Sequence, residues 1–199
     1  MALPTLTPAD TGSVFLHVRV LLGMIVGLGL THLLRHFARI VEHPRGARVY
    51  WVHLLWVLLV FLFLLHFWWW EFRLSATTEW TFNLYLFVAM YALLLYLLCV
   101  FILPESLNDY ADYRDYFYSR RQWFFGTLAI VYAVDLLDTW AKGAAYFEGF
   151  GPEYPIRNVV HIAACLGAMA TRKAWYHATF VILALLYQLS WIARQFEII

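Results

Sequence analysis

Six runs of apolar, aromatic-rich sequence fill almost the whole chain, at 14–41, 50–72, 80–103, 123–146, 156–170 and 175–194. A helix that crosses the hydrocarbon core of a bilayer needs about 20 mostly apolar residues. Within that core, backbone amides must find partners inside their own segment, which leaves helices and closed barrels as the spanning structures. Runs this long and this continuously apolar are helical spans. The predicted fold is therefore all-α: a polytopic membrane bundle of about six transmembrane helices, forming one domain over residues 1–199.

Composition agrees. Hydrophobic residues make up 63% of the chain, aromatics 20% and charged residues only 14%, with a mean hydropathy of +0.66. Soluble domains carry about a quarter of their residues as charges. A net charge of +1 with no basic stripe excludes nucleic acid as a partner. Cys99 and Cys165 lie inside apolar runs and read as small buried hydrophobes. No Lys or Arg precedes the first run, so that run is expected to be a retained helix and not a cleaved signal.

Punctuation places the boundaries. Pro104 ends the third run, and the segment 105–121, mixing tyrosines with both charge signs, is expected to lie at the membrane surface as an anchor. The two glycines and two prolines of 148–155 form a connector. The fifth run is short, and its small residues Ala163, Ala164, Gly167 and Ala168 allow close helix contact. Gly23-x-x-x-Gly27 in the first run does the same, and a homo-oligomer is one expected use of such faces.

Basic residues orient the bundle. With the N-terminus outside, nine lie on the cytoplasmic side (Arg35, Arg39, Arg45, Arg48, Arg114, Arg120, Arg121, Arg172, Lys173) and five outside (Arg19, Arg73, Lys142, Arg157, Arg194). Both termini are thus expected outside. Three helices on each side of 105–121 would give the 3+3 inverted arrangement found in transporters.

Three constellations could carry chemistry. His32 and His36, four apart, share a helix face and could ligate one metal. This His-x-x-x-His spacing resembles one histidine box of the membrane desaturases and hydroxylases, which implies a metal-dependent oxygenase. Those enzymes also carry adjacent histidines, and the chain has no His-His pair. The favoured reading places His32, His36 and His43 with Arg35, Arg39 and Arg45 at the headgroups of anionic lipid. Second, His17 and His66, and His32 and His53, fall at matching depths on two antiparallel helices, an arrangement that could hold two b-type haems by axial ligation. The 13-residue step between His53 and His66 does not return to one face, which counts against it.

The sharpest feature is Asp135, which follows a long apolar stretch. Inserting a carboxylate at a helix centre costs about 2.5–3.5 kcal/mol. Asp138 and Lys142 continue the same face. Together they are expected to line a path for an ion or small solute. The alternative is an outer-interface position paired with Lys142 or Arg73. The three tryptophans before Glu71 encircle their helix and read as an aromatic belt. No nucleophile elbow, zinc-protease motif, phosphate loop or Cys-x-x-Cys is present, so an enzyme is the less expected outcome. The leading expectation is a small channel or transporter. A histidine-based redox protein or membrane enzyme, and a non-catalytic sensor or assembly subunit, are the alternatives.

Overall fold

The computed structural model describes residues 8–43, 48–76, 80–141 and 144–196. Among them the secondary structure is helical: α1 (Pro8–Glu42), α2 (Trp51–Trp70) running into a 3-10 turn (Glu71–Ala76), α3 (Phe82–Ile102), α4 (Tyr113–Ala141), α5 (Ala144–Gly149), α6 (Glu153–Ala170) and α7 (Ala174–Phe196). Five of these, α1, α2, α3, α4 and α7, are long and apolar enough to cross a membrane. The fifth predicted run corresponds to α6, which is not among the five. Its first turns carry Glu153, Arg157 and Asn158.

The helix limits differ from the predicted runs at the start of α1, at both ends of α4 and at the start of α6, which begins inside the expected connector 148–155. The expected surface segment at 105–121 divides at Asp112, whose carboxylate accepts a hydrogen bond from the Asp115 amide at 2.8 Å and caps α4. No helix breaker follows, so 113–121 continue straight into the apolar part of the helix. Thr81 caps α3 likewise, accepting from the Leu84 amide at 3.2 Å. Gly151, at φ 66°, supplies the left-handed turn before α6.

The helices alternate in direction. On α6, Tyr154 meets Thr139, His161 stacks beside Tyr132, and Met169 reaches Gly126. These contacts run α6 antiparallel along α4. α7 returns: His177 lies against Phe125, Gln188 against His66, and Arg194 pairs with Glu153 at 2.6 Å. At the same end as Arg194, α1 starts with Phe15 beside Trp80 and Arg19 over Trp68.

Half of the bundle is packed solid. Trp56 is fully buried, with the rings of Phe124, Phe125 and Phe180 edge-on at 5.6, 5.0 and 5.0 Å, the geometry aromatic quadrupoles prefer. The outer surface carries Leu16, Met24, Leu28, Leu65, Met90, Leu137, Leu183 and Leu186 exposed, as a lipid-facing surface does.

Candidate functional site: a polar cavity in the aromatic half of the bundle

Above this plug the helices part around a cavity of about 710 Å³, counting its open mouth. α2 contributes His66, Phe67 and Trp70, and Glu71 follows at the rim. α3 contributes Tyr91, and α4 contributes Tyr132, Asp135, Asp138 and Thr139. α6 adds Tyr154 and Arg157, and α7 adds Gln188 and Trp191. Charged and amide side chains share this lining with aromatic rings, and convergent polar groups in a concave site fix the orientation of small molecules.

Asp135 sits at its centre and meets four side chains. Tyr91 donates to Oδ1 at 3.1 Å. Tyr154, Arg157 Nη2 and Asn158 Nδ2 approach Oδ2 at 2.7, 2.8 and 3.2 Å. The ion pair with Arg157 is sheltered, the two side chains being 9% and 28% exposed for Arg157 and Asp135. Asn158 Oδ1 accepts from Arg157 Nε and Nη2 at 3.1 and 2.6 Å. The guanidinium also lies 5.0, 5.6 and 6.0 Å from the rings of Tyr154, Trp191 and Tyr132, within cation–π range. Sequence reasoning had Arg157 as one of the outer basic residues and missed Tyr91, Tyr154 and Asn158. A four-residue spacing from Tyr154 to Asn158 was legible, but which carboxylate it would face was not.

The other expected path residues divide. Asp138 lines the same cavity and is 4% exposed. Lys142 lies outside the described residues. Arg73 stands over the Trp70 ring, and the cation that meets Asp135 is Arg157. At the rim, Glu153 accepts from Tyr187 and Arg194.

The histidines are spread through the bundle. His32 donates from Nε2 to the Leu103 carbonyl at 3.1 Å, and His53 donates from Nε2 to the Ile102 carbonyl. Tyr116 donates to the Phe101 carbonyl at 2.9 Å. Three side chains thus satisfy the last carbonyls of α3, which the helix itself leaves without partners. That requirement is acute inside a membrane, where water is absent. The depth match of His32 with His53 is real, but their Nε2 atoms are spent on carbonyls. His36 bonds the His32 carbonyl through Nδ1 at 2.7 Å. His17 is exposed, and His66 meets Gln188 at 3.3 Å. Among the described residues, no three His, Cys, Asp or Glu side chains are grouped as a metal site would need.

Comparison with protein-family models, with curated proteins and with solved structures gives no match. The fold and the cavity therefore carry the functional argument.

Proposed function

We propose that the protein is a small multi-pass membrane transporter that moves an ion or small solute through this bundle, with Asp135 and Asp138 among the groups that meet it. The observation that supports this reading is the cavity itself. It combines a buried ion pair with aromatic walls, and intramembrane ionisable residues of this kind mark solute and ion pathways. The Trp56–Phe125–Phe180 plug beneath it favours a transporter with alternating access over an open channel. In this reading α6 is a sixth span. At about 27 Å for 18 residues it nearly matches the hydrocarbon thickness, and Ile156, Val159, Val160 and Leu166 give it an exposed apolar face. A sixth crossing would put both termini on one side, as the 3+3 inverted arrangement requires, and the basic residues favour the exterior for that side.

The closed floor also favours one second reading, a ligand-binding membrane sensor that binds at the cavity without passing anything. Reconstituted liposomes separate the two. Uptake of labelled cations, anions, protons and small neutral solutes is measured for wild type and for Asp138→Asn, which keeps side-chain volume. Transport predicts flux of at least one class above empty liposomes and a loss of about tenfold or more in the variant, with thermal stability retained. Flux equal to empty liposomes for every class would overturn the transport reading.

A further inference from the structure

At the end of the bundle opposite Glu153 and Arg194, two guanidiniums come together without a carboxylate. Arg121 lies about two turns into α4 and donates from Nη1 to the Tyr118 carbonyl at 2.8 Å. Its Nε is covered and, among the described residues, has no acceptor. The Tyr118 ring stands 5.3 Å from the ring of His177 on α7, and His177 Nε2 donates to the Thr171 carbonyl at 3.0 Å. These contacts bring the exposed Arg172, next in the chain, toward Arg121, and the two charges act on each other. Among the described residues neither has an ion-pair partner. The acids at the start of α4 are engaged locally: Asp112 accepts from the Asp115 amide, and Asp115 from the Ala111 amide. Like charges held close repel, and a covered charged donor without an acceptor is costly. One anion between the two guanidiniums relieves the repulsion and compensates the charge.

We propose that Arg121, Arg172 and Lys173 form a binding site for a phosphate group at this end of the bundle. A phosphate carries its charge at neutral pH and presents several acceptor oxygens, so it can accept from two guanidiniums at once. Arg121 Nη2 is not committed within the chain, and Lys173 adds a second exposed cation beside Arg172. The depth suits a lipid headgroup. Trp123 follows Arg121 by two residues and Trp175 follows Arg172 by three, and they are 61% and 65% exposed. Exposed tryptophans of membrane helices sit at headgroup level, where basic pockets between helices hold lipid phosphates. α7 begins at Ala174, so the positive end of its dipole adds to the attraction. The site is separate from the cavity, and it stands whether or not the cavity passes a solute.

Native mass spectrometry of the detergent-solubilised full-length protein reads the site directly. Equal amounts of dioleoylphosphatidylglycerol and dioleoylphosphatidylcholine, which share their acyl chains, are offered to wild type and variants. Wild type should retain the anionic lipid about tenfold better, the scale of one charge-assisted hydrogen bond. In Arg121→Gln/Arg172→Gln that preference should fall to near one. The matched pair Arg114→Gln/Arg120→Gln removes two charges from the same end of α4 and should keep most of it. Arg172→Gln alone changes an exposed side chain and should lower the preference severalfold, so the test survives if the double variant does not fold. Excess inorganic phosphate separates the sources. Phosphate retained in place of the lipid, and lost in Arg121→Gln/Arg172→Gln, would assign the site to the free anion. Lipid that stays bound in its presence would assign it to the headgroup. No preference for the anionic lipid together with no retained phosphate would overturn the proposal. Equal losses in the two double variants would do so as well, since they would show only a diffuse basic surface.

Discussion

Asp135 accepts from Tyr91, Tyr154, Arg157 and Asn158, so its charge is matched within the chain. Removing one partner of such a pair leaves the other charge buried and unmatched, at a cost of about 3–5 kcal/mol. Asp135→Asn and Arg157→Gln should therefore each lower stability by about 3 kcal/mol, less if water reaches Asp135 through its exposed quarter. The double variant should lose clearly less than the sum of the two. Denaturation of the detergent-solubilised set measures this coupling, and additive losses would mean that the pair is not energetically linked. The sequence singled out Asp135 as an expensive residue. It did not supply the partner, because Arg157 lies 22 residues away and on a helix whose rotation about its axis is a tertiary outcome. For His32 and His53 the gap between sequence and structure is of another kind. Their depth was legible from spacing, but their use as caps for the α3 carbonyls depends on three helices meeting at one level.

At the scale of elements, the glycines of α1 sort by what they face. A Cβ on Gly29 would lie 2.6 Å from Leu64 and 3.3 Å from the Cys99 sulfur, and one on Gly23 would lie 3.0 Å from Trp68. Gly27, the second member of the spaced pair, has no atom within 4 Å of that position. The close approach of α1 to α2 and α3 thus uses Gly23 and Gly29, and the Gly-x-x-x-Gly pattern itself is not the contact. Gly29→Leu should overpack this seam and cost about 1–3 kcal/mol. Gly27→Leu should leave the melting temperature of the solubilised monomer unchanged. Equal losses in the two variants would show that Gly27 is covered by another surface. α6 was legible as a weakly apolar helix with small residues. Its alignment along α4 was not, because helical period fixes which residues share a face and leaves open which neighbour that face meets.

For the whole molecule, the contacts of Arg19 with Trp68 and of Arg194 with Glu153 put the start of α1 and the end of α7 at one end of the bundle. Accessibility tags at the two ends of the chain should accordingly be labelled from the same side of the membrane. In the proposed insertion that side is the exterior, the orientation that the distribution of basic residues favours. Labelling of the two tags from opposite sides would require α6 to turn back without crossing, and would break the agreement between the bundle and its proposed insertion.

The sequence by itself determined that this chain is helical and membrane-compatible. Runs of apolar residues near bilayer length leave the backbone no other way to satisfy its amides. It also placed the end of α3 before Pro104, since a proline acts on its immediate neighbours. Only the tertiary structure decided that Asp135 is paired with Arg157 and that an aromatic plug forms around Trp56. Each of these depends on helix rotation and on which helices are neighbours. Long-range packing selects both, and no pattern along a single segment encodes either one.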